Sequence, residues 1–149
     1  MATSIIAATL CAQFDRVWNT FRDALSRLDD EQFVAGDAEW CVPREQAYHI
    51  VETADFYASD CEPEGFAWGH YVATNKEQVL AYTEQIEAKV KQWLSKHSDE
   101  QLLEPQPICV WTGTTVLDRA LYALRHIQHH TAQINLELRR RGLPDGEWQ

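Results

Sequence analysis

The sequence predicts an all-α protein that folds as a four-helix bundle. The chain has 149 residues, 45% of them hydrophobic, which is the size of one domain with a substantial core. Four long segments carry apolar residues at three- and four-residue steps, and no Asn-Gly or Asp-Gly turn joins two β-like runs. Four amphipathic helices in one chain of this length are typical of a bundle. We therefore expect a single domain over residues 1–149.

The first two helices are predicted from their apolar stripes and from the residues at their ends. Asp29-Asp30 and Gly36 are expected to end the first helix. Pro43 suits the first position of the second helix, where a backbone N–H has no partner. The stripes comprise Leu10, Phe14, Val17, Phe21, Leu25 and Leu28 in the first helix, and Ala47, Ile50, Val51, Ala54 and Ala58 in the second.

The third and fourth helices each follow a segment that breaks the helical pattern. Thr74 and Glu77 have the spacing of a capping box before the third helix, and Thr115 and Asp118 have the same spacing before the fourth. The fourth helix is expected to run to Arg141, just before a glycine. The stripes comprise Val79, Tyr82, Ile86, Val90 and Trp93, and then Val116, Ala120, Ala123, Ile127, Ile134 and Leu138.

Charge and composition argue against several classes of function. The net charge is −10, whereas binding to nucleic acid draws on phosphate neutralisation, so we expect no nucleic-acid partner. The basic run Arg139–Arg141 lies at a predicted helix C-terminus, where cations complement the helix dipole. No apolar run is long enough to cross a membrane.

The compartment is predicted from the N-terminus and the cysteines. The segment MATSIIAATLCAQF lacks a basic region and has the large Leu10 before Cys11, so we interpret it as helix rather than as a signal peptide. Scattered cysteines without a paired motif indicate free thiols in a cytoplasmic protein. These cysteines are Cys11, Cys41, Cys61 and Cys109.

Three histidines in the stretch RHIQHHTAQI indicate where chemistry is carried. His126 and His130 lie one helical turn apart on one side of the fourth helix, and His129 projects away from both. Two histidines at this spacing lie on a polar surface, form a hydrogen-bonded edge of the core, or reach one metal ion, and a metal needs at least a third protein ligand. His49, at the border of the apolar face of the second helix, is the candidate; taken alone, it is typical of a partly buried histidine that bonds a neighbour.

Two stretches of the sequence resemble a known family. These are WCVPREQAYHIVETADFY in the second helix and GTTVLDRALYALRHIQHHTAQI in the fourth. Together they resemble the DinB-like superfamily, named for DNA-damage-inducible bacterial proteins, over nearly the whole chain. Thr131-Ala132 stands where relatives often have Arg-Gly.

The resemblance implies a fold and a metal site. It implies an up-up-down-down bundle, a homodimer, and a divalent ion such as zinc or nickel held by His49, His126 and His130. His129 is then a neighbour that does not bind the metal, and Gln133 lies beside the site. We expect metal binding to weaken as the pH falls through about 6.5, because histidine ligands must be neutral.

Three functions are compatible with such a site. Relatives that use bacillithiol or mycothiol imply a thiol-dependent transferase or a related metalloenzyme, with a low-molecular-weight thiol and an electrophilic small molecule as partners. The first alternative is a non-catalytic stress or binding module with a vestigial or structural metal site. The second is a metal-dependent hydrolase that uses a bound hydroxide.

Several other residues are candidates for secondary roles. Trp68, His70 and Tyr71 follow the second helix and either overhang the site or pack as an ordinary loop. Glu45 and Glu52 are candidates for an acid–base group or for a partner of a ligand, although most such glutamates lie on solvated helix faces.

Overall fold

The chain forms four long helices and two short ones in a computed structural model that describes residues 4–71 and 74–149. No strand occurs within these ranges, which confirms the all-α prediction. The long helices are α1 (Ile5–Ser26), α3 (Pro43–Tyr57), α4 (Lys76–Ser95) and α6 (Val116–Arg140), and the short ones are α2 (Asp30–Val34) and α5 (Asp99–Leu103).

The four long helices form a bundle in which α1 and α3 each pack against α4 and α6. At one end, the Ile6 N–H donates to Asp99 just beyond α4, so α1 and α4 are antiparallel. At the other end, Arg141 after α6 donates to the Ala35 carbonyl just beyond α2. Because α2 directly follows the end of α1, the ends of α1 and α6 lie together and the two helices run in the same direction.

The direction of α3 differs from the order expected from the resemblance. Gln46, near the start of α3, contacts His130 near the end of α6, and Thr53 contacts His126, so these two helices are antiparallel. The order is therefore up-down-down-up instead of up-up-down-down. Residues 27–42, with α2, reverse the chain directly after α1. Residues 58–71 instead run back along α3 before α4 begins, since the Gly69 N–H donates to Glu52.

The core lies where the apolar stripes meet. The predicted stripe residues are buried, except for Tyr82, which is half-buried. Burial of large apolar side chains is the main favourable contribution to folding. The largest fully buried side chains are Trp18, Phe14, Phe21, Phe33, Leu25 and Ile50.

The helix ends agree with the sequence in some places and differ in others. Thr115 and Asp118 form the predicted capping box of α6. Asn75, not Thr74, caps α4, because its side chain accepts from the Gln78 N–H. Asp29 does not simply end the first helix, since it caps the additional short helix α2.

Helix α1 begins at Ile5, within the N-terminal segment that the sequence predicts to be helical. Residues 1–3 lie outside the described part of the chain. All four cysteines are free. None of the helices in the described ranges is long and apolar enough to span a bilayer. Arg139 forms an ion pair with Asp145, and Arg141 forms one with Glu137. These two arginines of the basic run therefore pair with acidic side chains close to them in sequence.

Candidate metal centre

Two antiparallel helices bring the three predicted histidines together. His49 lies near the middle of α3, while His126 and His130 occupy successive turns of α6. One nitrogen from each ring lies within 4.8 Å of the other two. The ring centroids of His49 lie 4.9 Å from His126 and 4.6 Å from His130. The long-range pairing of α3 with α6 therefore builds a cluster of three imidazoles.

Two hydrogen bonds place the ring proton of His130 on its Nδ1 atom. The Nδ1 atom lies 2.7 Å from Gln46 Oε1 and 2.6 Å from Gln133 Oε1. Amide oxygens only accept hydrogen bonds, so the Nδ1–H of His130 donates to them. The Nε2 atom of a neutral His130 then carries a lone pair.

Thr53 fixes the tautomer of His126 in the same way. Its hydroxyl donates to the His49 backbone carbonyl at 2.6 Å, so its oxygen accepts from Nδ1–H of His126 at 3.1 Å. The Nε2 atom of His126 therefore also carries a lone pair. Partners of this kind on the far nitrogen are what orient histidine ligands at metal sites.

The two lone pairs face each other with 3.2 Å between the Nε2 atoms of His126 and His130. Two acceptors at this distance repel unless a proton or a cation lies between them. Zinc–nitrogen bonds of about 2.0–2.1 Å in a tetrahedral shell place neighbouring ligand nitrogens about 3.3 Å apart. The three-imidazole donor set, and the spacing between His126 and His130, therefore fit a divalent metal ion.

Burial keeps the imidazoles of the cluster neutral. Desolvation, with a smaller contribution from the other histidines, lowers the pKa of His126 to about 3. The same causes lower the pKa of His130 to about 4, against an opposing effect of its hydrogen bond to Gln133. Burial also lowers the pKa of His49, although the charge of Glu52 opposes this shift. Neutral imidazole is the form that binds a metal.

Aromatic rings close one side of the cluster. Tyr57 and Tyr122 lie against His126, with ring centroids 6.1 and 6.2 Å away. These rings exclude water from His126, which agrees with its having a lower pKa than His130.

A cleft of about 310 Å³ opens on the other side of the cluster. Its walls include His49, His130, Tyr48 and Glu45. The Tyr48 hydroxyl donates to Glu52 Oε1 at 3.0 Å, and burial together with this carboxylate raises the pKa of Tyr48 to about 12. Glu45 pairs with Arg44 at 2.6 Å. The cleft thus gives small molecules a route to His49 and His130.

A comparison with protein families agrees with this geometry. The family model described as the DinB superfamily matches residues 13–134, which include all three histidines. The chain belongs to the DinB superfamily. Searches of curated proteins and of solved structures gave no match. As a DinB protein with a three-histidine group that can hold a metal ion, it is compatible with metal binding.

The other predicted candidates are distributed around this DinB site. His129 is exposed and lies outside the three-histidine group, although its ring centroid is 4.9 Å from that of His130. Gln133 contacts His130 directly. Glu52 is buried instead of solvated, and it accepts hydrogen bonds from Tyr48 and from the Gly69 N–H.

The loop after α3 packs against the helices and does not line the cleft. Trp68 lies against Phe56, with ring centroids 4.9 Å apart. The hydroxyl of Tyr71 donates to Asp55 at 2.7 Å, and His70 packs on the Tyr71 ring and is exposed. Of the two interpretations of this loop, ordinary packing describes its contacts.

Sequence reasoning missed Gln46 as a partner of the cluster. It lies three residues before His49, and Thr53 lies four residues after it, so helical spacing places all three on one face of α3. That spacing is the signal that indicates such a partner. What spacing does not indicate is which histidine of α6 each side chain contacts.

Proposed function

We propose that this protein is a metalloenzyme that binds one divalent transition metal ion, zinc or nickel, and transfers a low-molecular-weight thiol to an electrophilic small molecule. His49, His126 and His130 are the ligands. The observation that carries the proposal is the pair of lone pairs on His126 and His130, held 3.2 Å apart by bonds that fix both tautomers. The resemblance to thiol-dependent members of the family supports the choice of reaction.

The chain's own residues prepare the site for this chemistry. A divalent ion with three neutral ligands keeps its full charge and lowers the pKa of a thiol or water bound to it. Gln46 and Gln133 hold the ring of His130, and Thr53 holds that of His126. Tyr57 and Tyr122 exclude water, which strengthens electrostatic interactions within the site.

The cleft beside Tyr48 is the entrance for both substrates in this proposal. The thiol sulfur forms a bond to the electrophilic carbon, the leaving group departs with the electron pair of the broken bond, and the thiol proton passes to water in the cleft. Tyr48 stays protonated near neutral pH because its pKa is about 12, and its one hydroxyl proton is donated to Glu52. Its oxygen can therefore accept a hydrogen bond from a substrate in the cleft.

Metal content tests the site. Tag-free protein should contain about one zinc or nickel ion per chain by elemental analysis. The His126→Ala variant should contain none, while His129→Ala, which removes the exposed neighbour, should retain the metal. Wild-type protein that stays free of metal, and whose melting temperature does not rise on adding zinc or nickel, would exclude every metalloenzyme function.

A thiol panel tests the reaction. Metal-loaded protein is incubated with an electrophilic aromatic compound and with each of several low-molecular-weight thiols, and thioether formation is measured. Turnover that needs one thiol and disappears in His126→Ala supports the transferase. Hydrolysis of an ester without any thiol would indicate the hydrolase instead, and bound metal with no turnover would indicate the binding module.

The proposal also includes a homodimer in the cytoplasm. The dimer follows from the family resemblance and the compartment from the scattered cysteines. Sedimentation of the metal-loaded protein checks the first, and cell fractionation checks the second.

A further inference from the structure

A second concavity lies on the opposite flank of α6 from the histidine cluster. It is a groove of about 560 Å³ between α1 and α6, and its residues include none of the three histidines. This volume lies within the range of about 300–1,000 Å³ that is typical of small-molecule sites. Thr131 and Ala132, where the sequence departs from the family motif, both line it.

The lining of this groove is positively charged in a strongly acidic protein. The chain carries a net charge of −10, yet the lining of the groove includes two arginines and no aspartate or glutamate. Arg139 is paired with Asp145. Arg16 is exposed and has no ion-pair or hydrogen-bond partner for its guanidinium within the described ranges. A free guanidinium beside a concave surface is suited to bind a carboxylate.

The wall beside Arg16 is partly apolar. Val17, Leu136 and Trp148 contribute side chains to it. Leu136 is 47% exposed and Trp148 is 72% exposed, although both belong to a concave surface. Exposed apolar side chains that line a concavity offer contact area to the apolar part of a ligand.

A polar side chain without a partner lies at the floor of the groove. Thr131 is 3% exposed, and its hydroxyl has no hydrogen-bond partner in the described part of the chain. A buried hydroxyl that makes no hydrogen bond is destabilising, and helical threonines ordinarily avoid this by donating to the carbonyl one turn before. Thr20 and Thr53, on the neighbouring helices, make that bond.

The C-terminal tail forms a third wall of the groove, beside α1 and α6. The Gly146 N–H donates to Asn135 Oδ1 at 2.9 Å, and the Gln149 N–H donates to Thr20 Oγ1 at 3.2 Å. These bonds hold Trp148, which lies between the two donors, beside the groove. The groove therefore has walls from three segments of the chain.

We propose that the groove between α1 and α6 is a second binding site, for a small organic carboxylate with an apolar body. The guanidinium of Arg16 pairs with the carboxylate, and the apolar body lies against Val17, Leu136 and Trp148 above the buried Thr131. This site is independent of the metal proposal because it shares no residue with the histidine cluster.

Three eight-carbon probes that differ in their head groups test the proposal. Octanoate, octan-1-ol and octylammonium are titrated into the full-length protein, with binding measured by calorimetry and located by amide chemical shifts. Octanoate should bind at millimolar concentration or below and shift the amides of Thr131, Asn135 and Trp148. Octylammonium should bind at least about tenfold more weakly, because Arg16 repels it. Equal binding of all three probes, or no octanoate binding, would overturn the proposal.

Four variants separate the specific site from general hydrophobic binding. Arg16→Gln should weaken octanoate binding about tenfold, whereas Arg125→Gln, which removes a cation stacked on Tyr122 outside the groove, should not. Ala132→Phe places a ring in the groove from an exposed position and should block binding. Thr131→Val should raise the melting temperature of the ligand-free protein, because it removes the unpaired hydroxyl. It should leave octanoate binding unchanged, because this hydroxyl is buried beneath the surface of the groove.

Two outcomes would overturn the proposal even if octanoate binds. The first is octanoate affinity that is the same in wild type and in Arg16→Gln. The second is a wild-type dimer that becomes monomeric in Ala132→Phe, since a second copy of the chain would then cover the groove.

Discussion

The two flanks of α6 differ in how completely their polar groups are paired. On the flank that faces α3, the Nδ1 atoms of His126 and His130 both have partners, and the lone pairs of their Nε2 atoms face each other without one. On the flank that faces α1, the hydroxyl of Thr131 is buried without a partner. Unsatisfied groups that converge indicate a ligand held at fixed geometry, whereas a single unpaired group in a groove indicates a looser site.

The largest expected effect is the removal of His49, the candidate ligand on α3. His49→Ala should weaken zinc binding by more than about a hundredfold, because it leaves only two ligands on one helix. His70→Ala, which removes an exposed histidine that packs on Tyr71, should leave the affinity unchanged. Competition with a chelating dye measures both. Equal affinities in the two variants would mean that His49 is not a ligand.

A smaller effect should follow from removing the partner of His126. Thr53→Val keeps the shape of the side chain but removes the oxygen that accepts from Nδ1–H, so the other tautomer becomes accessible. We expect metal affinity to fall about 10- to 100-fold, as is usual for partners of metal-binding histidines. Thr83→Val is the matched control, since Thr83 is also buried and bonds the carbonyl one turn before, but lies on α4.

An unchanged affinity in Thr53→Val would show that the tautomer of His126 is set by something other than this hydroxyl. Nitrogen chemical shifts of the imidazole ring would show the same directly, because protonated and unprotonated ring nitrogens resonate at different frequencies. The variant would then bind metal normally with Nδ1 unbonded.

Much of the histidine flank was predictable from the sequence, and the reason is local geometry. Helical spacing places His126 and His130 on one side of α6 and Gln46, His49 and Thr53 on one face of α3. The burial of the predicted stripes follows from the same period.

The direction of α3 and the groove on the other flank were not predictable in this way. Both depend on connections and on contacts between segments distant in sequence, such as Gly146 with Asn135. The sequence pattern within a helix contains no information about the connection between α3 and α4. The resemblance is therefore the only source of a predicted helix order, and that order differs from the observed one. Whether the buried hydroxyl of Thr131 finds a hydrogen-bond partner likewise depends on which atoms of α1 lie opposite it.

The low pKa values on the histidine flank predict how the metal-free protein responds to acid. Unfolding returns His126 and His130 from pKa values of about 3 and 4 to an ordinary value near 6.5. The unfolded chain therefore binds more protons between about pH 6.5 and pH 4, so the free energy of unfolding should fall as the pH decreases through this window. Urea titrations at several pH values measure the slope.

The double variant His126→Asn, His130→Asn is the control, and its stability should depend less on pH within the same window. Metal binding should persist below the pH of about 6.5 expected from free histidine, because protons compete only near the lowered pKa values. Metal release that is complete at pH 6 would contradict the neutral state of the cluster.

The smallest expected effect lies on the other flank, at the tail that forms the wall of the groove. A Cβ atom at Gly146 would lie 2.7 Å from the Ala24 Cα, so Gly146→Ala forces the tail away from α1. Because the tail is largely exposed and can move, we expect a loss of only about 1 kcal/mol, or a decrease of about 2–4 °C in melting temperature. Gly65→Ala, where no atom lies within 4 Å, should cost less. Zinc affinity should be equal in both variants, because the tail contacts Asn135 and Thr20 and not the histidine cluster. A loss of zinc affinity in Gly146→Ala alone would show that the two flanks of α6 are coupled. The groove and the histidine cluster would then act as one site.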